Sequence, residues 1–177
     1  MGVAGGREYD EKRFRELVLY IAWKTKDDPH FGRTKLAKTL FYSDLAAYAE
    51  RGQSLTGVAY EHWEHGPFPR VLYNVMGRLE RDGLARQIAP EFRGDEARLI
   101  ALEEPGVEGD LLVDHYIKQM ASRPTWWVRD ASHQHPGWQL TGDGEEIPYY
   151  VAFLSRRKPT QRDLERGEQL ARVYGWP

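Results

Sequence analysis

The chain has 177 residues, 41% of them hydrophobic and 29% charged, which is the composition of one soluble globular domain and excludes a disordered protein. It contains no cysteine, so disulfides, thiol nucleophiles and cysteine-bound metals are excluded as well. Its net charge of −2 provides no general positive field for nucleic acid. Aromatic residues are the unusual feature, with six Trp, ten Tyr and six Phe.

No apolar run reaches the ~18 residues of a membrane span, and residues 1–6 lack the charged and apolar segments of a secretory signal. We therefore expect a cytoplasmic protein without a membrane partner. No internal repeat or low-complexity linker divides the chain. The predicted organisation is a flexible leader over residues 1–9, one domain over 10–159, and a C-terminal helix over 160–177 that packs on the same domain.

The domain is predicted to begin with two helices. Asp10 can cap a helix that runs to about Lys26, because apolar residues recur at helical spacing between them. Thr34 can cap a second helix, whose apolar residues continue until Gly52 provides a stop.

The segment after the second helix changes character. Residues 58–62 alternate as in a short strand, whereas residues 65–69 contain two prolines and a glycine and are predicted to form an irregular turn. Pro69 suits the first turn of a third helix, which Gly83 is expected to end.

A hairpin is predicted next, from residues 84–89 and 98–102, followed by helices over about 107–122 and 124–133. Residues 147–154 are compatible with either a helix or a strand. Helices followed by a hairpin are the order of a winged helix-turn-helix. The predicted fold is therefore mainly α with a small β-hairpin or sheet, a winged-helix-like helical domain.

Histidines are the first candidates for chemistry. Two close pairs, His62 with His65 and His133 with His135, could together supply four nitrogen ligands to zinc or nickel. However, the first pair lies on a strand-to-turn segment and the second beside a Pro-Gly turn, so we interpret them as hydrogen-bonding groups and expect no metal. The chain also has no nucleophile elbow, phosphate-binding glycine loop or dinucleotide motif. We therefore expect neither an enzyme nor a cofactor.

Binding to DNA is the alternative that the winged-helix order raises. The helix that would enter the major groove, about residues 69–82, carries Glu80 and Asp82, and neither half of the chain is strongly basic. The charge pattern argues against nucleic acid as the main partner, and a DNA-binding transcriptional regulator is kept as the second hypothesis.

Asp44 is the most informative carboxylate in the sequence. It lies four residues after Leu40 and four before Tyr48, on or beside the buried face of the second helix. A carboxylate in that position must be hydrogen-bonded or paired. Candidate donors are the backbone N–H groups of residues 66–69, His65 or a nearby tyrosine. We expect a structural tie between helix and turn, with a functional role as the alternative.

The tryptophans suggest a binding surface, because Trp and Tyr dominate the energetics of protein interfaces. Trp126 and Trp127 are adjacent on a predicted helix and ~100° apart around it, so both are hard to bury in one direction. We hypothesise that one packs inside and the other lies in an exposed aromatic patch. The alternative is that all of them are core or are sheltered by the C-terminal helix. Further candidates for this partner-binding patch are Tyr149, Tyr150 and Trp176.

Several short motifs follow one another in an order that resembles a known family. The first block consists of Lys35-Leu36, the run from Leu40 to Asp44, Ser54-Leu55-Thr56-Gly57 with Tyr60, His65-Gly66-Pro67-Phe68-Pro69, and Leu79 to Leu84. The second block consists of Ser132-His133, Pro136, Trp138 and Ile147-Pro148. Together they resemble the Panacea domain, also called the SocA-like antitoxin domain, over roughly residues 34–155.

The resemblance implies an antitoxin, a bacterial or phage protein that neutralises a cognate toxin by forming a complex with it. Family members are paired with different toxins, and one branch delivers its toxin to the ClpXP protease. The family's domain is mainly helical with a small sheet and has no established catalytic residues. The motif residues would then hold the scaffold: Lys35, Asp44, Gly57, Tyr60, His65, Gly66, Pro67, Pro69, His133 and Trp138.

Overall fold

The computed structural model of the protein describes residues 7–154 and, beyond them, residues 161, 162, 165, 169 and 172. The helices of this described part are α1 (Glu11–Lys24), α2 (Arg33–Arg51), α3 (Leu72–Arg81), α4 (Leu111–Ala121), α5 (Thr125–His133) and α6 (Pro136–Gln139). Its strands are β1 (Tyr60–Trp63), β2 (Gly66–Pro69), β3 (Ala85–Ile88), β4 (Arg98–Ala101) and β5 (Glu146–Ile147), and a 3₁₀ helix spans Tyr149–Phe153. Most of the predicted leader and of the predicted C-terminal helix lies outside the described residues.

The first two helices form as predicted, with one difference at a cap. Asp10 caps α1 by accepting a first-turn N–H at 2.9 Å, and Gly52 ends α2 with a φ of 71°. Thr34 is not the cap of α2, which begins one residue earlier. Thr34 instead donates its N–H and its hydroxyl to Glu96 at 2.7 and 2.8 Å. A carboxylate from the segment before β4 therefore satisfies the start of α2, where N–H groups lack helical partners.

The irregular turn predicted over residues 65–69 is wrong, because Gly66–Pro69 forms strand β2, antiparallel to β1. The strand order β2-β1-β5 places β2 at an edge of its sheet. An edge strand needs ladder hydrogen bonds along one side only, so prolines that alternate with Phe68 do not interrupt the pairing. The third helix consequently starts at Leu72 rather than at Pro69.

Helix α3 and the β3–β4 hairpin follow in the predicted order. The core face of α3 consists of Leu72, Val75, Met76 and Leu79. Gly83 adopts a φ of 70° after the helix, and the hairpin pairs Ala85 with Ala101 and packs against α1. The β1–β2 ribbon is inserted between α2 and α3. The predicted fold class, mainly α with a small β component, is confirmed.

The last part of the described chain contains short elements. Asp110 caps α4 by accepting the N–H of Leu112 at 2.9 Å, and α5 matches its predicted bounds. The Pro-Gly turn expected beside His135 is instead the start of the short helix α6. The 147–154 segment contains the end of strand β5, followed by the 3₁₀ helix.

Helix α2 lies at the centre of the core. It contacts α1, α4, α5, β2 and the 3₁₀ helix, so burial extends around most of its circumference. Polar residues on α2 are therefore enclosed as well, and three of them, Lys35, Lys38 and Asp44, carry ionisable groups. Enclosed ionisable groups need partners or must lose their charge.

Candidate functional site

Asp44 is fully buried on α2 and accepts hydrogen bonds from three later parts of the chain. Its Oδ1 accepts the N–H of Thr56 at 2.9 Å. Its Oδ2 accepts the hydroxyls of Thr56 and Tyr60 at 2.5 and 2.7 Å. The hydroxyl of Tyr149, from the 3₁₀ helix, lies 3.3 Å from the same oxygen. The carboxylate therefore joins α2 to β1, to the segment before it, and to the 3₁₀ helix.

The donors around Asp44 differ in part from those expected. Tyrosine is confirmed as a donor, but the remaining donors come from Thr56 and the backbone of Leu55 instead of residues 66–69 or His65. Burial raises the pKa of Asp44, and the hydrogen bonds from Thr56, Tyr60 and Leu55 oppose that rise. Burial also raises the pKa of Tyr60, with a further contribution from the Asp44 charge, so the phenol stays a neutral donor.

Gly57 lets the N-terminal segment approach the loop that binds Asp44. It has a φ of +67°, and a Cβ at this position would lie 2.5 Å from the carbonyl oxygen of Glu8. The N–H of Asp10 donates to the carbonyl oxygen of Thr56 at 2.8 Å, and the Arg7 guanidinium donates to that of Leu55 at 2.7 Å. Glycine is required here because an L side chain would meet both an unfavourable φ and this backbone.

A second buried ionisable group, Lys38, faces β2. It is 1% exposed, and its Nζ donates to the carbonyl oxygen of Pro67 at 2.8 Å. The lysine thus satisfies a backbone acceptor of an edge strand. Gly66 has a φ of +91°, and a Cβ there would lie 2.2 Å from Ser132 Oγ and 2.9 Å from Lys38 Cε. The Gly66-Pro67 pair is therefore where β2, α2 and α5 converge.

Lys38 is a buried ionisable residue that the sequence did not lead us to predict. The sequence did offer a signal, because Lys38 lies in a run of apolar and small residues from Leu36 to Leu40. A lysine on such a helix either buries its ammonium or extends its apolar stem along the core until the ammonium reaches water. Charge counting alone could not detect it, since that method treats every lysine as exposed.

Lys38 is expected to make stability rise with pH above neutrality. Burial lowers its pKa from 10.5 to about 7, although Glu96 opposes the shift, whereas the unfolded chain keeps the ordinary value. Between pH 7 and pH 10.5 the lysine of the unfolded chain binds more protons than that of the folded protein, so the free energy of unfolding increases as the pH rises. The free energy of unfolding rises by up to ~1.4 kcal/mol per pH unit in this range, and the contribution of Lys38 is independent of pH below the folded-state pKa. Urea unfolding between pH 7 and 9 measures it.

Two variants isolate this effect. Lys38→Met should reduce the slope to the part that Lys35 contributes, since burial lowers the pKa of Lys35 as well, while Lys12→Met, which removes an exposed lysine of α1, should retain the full slope. Burial lowers the pKa of His133 and raises that of Tyr60, which moves both titrations outside the window. An unchanged slope in Lys38→Met would show that the lysine is charged in the folded protein at neutral pH.

Two of the four histidines that suggested a metal site pack against Trp138. The rings of His62 and His133 stack against its indole, with centroid distances of 4.2 and 4.1 Å, and the indole N–H donates to the carbonyl oxygen of Trp63 at 3.0 Å. These contacts join β1, α5 and α6. Within the described part of the chain, no three His, Asp or Glu side chains are grouped so that they could hold a metal ion.

Three scaffold candidates remain: Pro69, Lys35 and His65. Pro69 is buried in β2, opposite Tyr60. Lys35 and His65 line a cleft of about 680 Å³ that is bounded by α2, the β3–β4 loop and the start of α5. The ten motif residues thus fall into four places: the Asp44 cluster, the Gly66-Pro67 convergence, the Trp138 stack and the cleft. Their role as a scaffold for partner binding stays a prediction.

The two adjacent tryptophans are both exposed, Trp126 by 60% and Trp127 by 41%, so the expectation that one packs inside is wrong. Helix α5 buries Val128 and Ser132, which lie four residues apart on one face. Trp127 is ~100° and Trp126 ~200° around the helix from Val128, so both side chains leave that face. Trp126 lines the cleft, whereas Trp127 lines a separate groove against α4.

The two candidate tyrosines have opposite environments. Tyr150 is 59% exposed, as the patch hypothesis requires. Tyr149 is only 4% exposed and belongs to the Asp44 cluster, so its placement in an exposed patch is wrong. Consecutive residues of a 3₁₀ helix are ~120° apart, which explains why one faces the core and the other faces solvent. Trp176 lies outside the described residues.

Comparison with known proteins assigns the chain to a family. The model of the family described as "Antitoxin SocA-like, Panacea domain" matches residues 36–139, more than half of the chain. No curated protein and no solved structure matches it. In the described residues, no helix has both the length and the apolar character needed to cross a membrane. The matched range includes Asp44, Lys38, Gly66 and Trp138, and the chain belongs to the SocA-like antitoxin family, the proteins that carry a Panacea domain.

Proposed function

We propose that this protein neutralises a cognate toxin by forming a direct complex with it, through a groove between α2, α4 and α5. The family supports an antitoxin-like, non-catalytic role. The observation that carries the surface assignment is the groove itself, which has a volume of about 410 Å³ and which we call the aromatic groove. Its lining residues include Tyr42, Tyr116, Met120, Trp127 and Val128.

The composition of the aromatic groove suits a protein partner. Tyr42 and Tyr116, whose rings are stacked at 5.7 Å, line the groove together with the partly exposed Trp127, and the Arg123 guanidinium lies over the Trp127 ring. Aromatic residues and Met are enriched at protein interfaces, and Met adapts to different partners. We expect apolar side chains of the toxin to occupy this groove.

The groove continues along α2. A shallower depression of about 300 Å³ shares Tyr42 and Tyr116 with it and reaches Ala152 of the 3₁₀ helix. Exposed Tyr150 and Phe153 lie on that same short helix. The candidate surface therefore extends beyond the groove, as a partner that buries the ~800 Å² typical of a stable protein complex would need.

Trp127→Ala is expected to abolish neutralisation of the toxin. We expect the toxin to be the product of the neighbouring gene, so the two proteins are expressed together. Loss of a central aromatic at an interface costs about 2 kcal/mol or more, or roughly thirtyfold in Kd. Thermal unfolding should change by only a few degrees, because the indole is partly exposed. The measurements are growth, co-purification and the Kd of the complex.

Phe92→Ala provides the matched control, because Phe92 is an exposed aromatic outside the groove. It should neutralise as the wild type does. A harmless neighbouring gene product, or full neutralisation by Trp127→Ala, would contradict the proposal. Toxin that disappears only in cells with a ClpXP-type protease would indicate delivery for degradation instead of a stable complex.

Charges on α3 give no support to the DNA-binding alternative. Arg78 is paired with Glu11, and Asp82 with Arg15 at 2.7 Å, so charges of this helix are used in contacts with α1. Glu80 accepts hydrogen bonds from Gln87 and keeps a negative charge on the helix that would face the phosphates.

A further inference from the structure

The cleft beside α5 contains both carboxylates and cationic side chains. The carboxylates have partners within the fold. Asp28 accepts the N–H of His30 at 2.9 Å, and Asp95 contacts the His30 ring at 2.9 Å. Both oxygens of Glu96 accept hydrogen bonds from Thr34. All three carboxylates that line the cleft are therefore occupied by contacts within the fold.

The cations of the cleft have fewer partners: Arg129 is paired with Asp130 and Arg123 lies over the ring of Trp127, whereas Lys35 and Arg93 have no partner of opposite charge among the described residues. Lys35 is 1% exposed, and within the described residues its Nζ makes no hydrogen bond or ion pair; the ring of Phe31 lies 5.8 Å away. Arg93, on the β3–β4 loop, likewise has neither contact in that part of the chain. Burial lowers the pKa of Lys35, although the charges of Asp28 and Asp95 oppose that shift. An incoming anion would supply the missing acceptor.

We propose that this cleft binds a phosphate-bearing small molecule, with Lys35 at its base and Arg93 at its rim as the phosphate ligands. The volume of about 680 Å³ lies in the range of small-molecule sites. Arg and Lys are the side chains that bind phosphate best, Arg through its planar fork and Lys as a compact charge. Trp126 provides an exposed indole at the cleft wall, on which a planar ring of the same ligand can stack.

This site is separate from the aromatic groove, so its test does not depend on toxin neutralisation. Isothermal titration calorimetry of the full chain with pyrophosphate, adenosine 5′-monophosphate and adenosine addresses it directly. Pyrophosphate and the monophosphate should bind in a saturable manner, and adenosine should not. Adenosine binding as tightly as its monophosphate, or the absence of saturable binding by both phosphates, would overturn the proposal.

Variants test the assigned ligands. Arg93→Gln, on an exposed loop, should weaken pyrophosphate binding at least tenfold without affecting the fold. Lys35→Met should weaken it at least as much while keeping the apolar stem of the side chain. Lys12→Met, on the far end of α1, is the control and should bind as the wild type does. Unchanged affinity in Arg93→Gln would exclude the rim assignment, even if Lys35→Met failed to fold.

Discussion

Asp44→Ala is expected to destabilise the protein by about 3–5 kcal/mol, as breaking a buried charged network does. The carboxylate accepts hydrogen bonds from the N–H and hydroxyl of Thr56 and from the hydroxyl of Tyr60. Without it these buried donors lose their acceptor, and each unsatisfied group costs ~1–3 kcal/mol. Because a domain has only ~5–15 kcal/mol of stability, the variant should have a much lower urea midpoint or fail to fold.

Asp44→Asn refines this test. It conserves the volume of the side chain but places an amide donor against groups that themselves donate, so its loss should be intermediate. Asp143→Asn, at a side chain that is 93% exposed, serves as the control and should stay within about 0.5 kcal/mol of the wild type. A loss below ~1 kcal/mol for Asp44→Ala would mean that water or neighbouring groups replace the carboxylate.

Gly66→Ala is expected to cost about 3 kcal/mol, from two contributions. A φ of +91° is unfavourable for an L-residue, at ~1–2 kcal/mol. The added Cβ would also lie 2.2 Å from Ser132 Oγ and 2.9 Å from Lys38 Cε, both in buried surroundings that restrict their adjustment. Such overpacking typically adds ~1–3 kcal/mol.

Gly94→Ala separates the two contributions. Gly94 has the same φ of +91°, yet a Cβ there would meet no atom within 4 Å. Its loss of stability should reflect the backbone strain alone, so the difference between the two variants measures the close packing of β2 on α2 and α5. Equal losses in urea unfolding would show that the convergence point adapts to a methyl group.

Helices α1, α2 and α5 could be predicted because their determinants are local. Asp10 and Gly52 act as caps at their predicted positions, and α5 has its predicted bounds. Capping depends on residues within one turn, and helical periodicity is visible in a short window. The motif order was also sufficient to indicate the family, which the match over residues 36–139 confirms.

Strand β2 and the cap of α2 could not be predicted in the same way. Two prolines within residues 66–69 argue against a strand unless that strand lies at an edge of the sheet. The edge position of β2 follows from the order β2-β1-β5, which is a property of the folded sheet. The start of α2 is satisfied by Glu96, which is 62 positions away from Thr34. Sequence windows do not contain partners at such separations.

Helical periodicity, the burial of Asp44, the lack of cysteine chemistry and the family could all be predicted from the amino-acid order. The partners of the polar groups on α2, the two different surfaces that Trp126 and Trp127 face, and the inward position of Tyr149 became clear from the packing of the elements. The physical reason is that α2 is enclosed by five other elements. The burial of a charged group depends on all the elements that pack around it, and its sequence neighbours supply only some of them. The pKa of the group and its need for a partner follow from that burial.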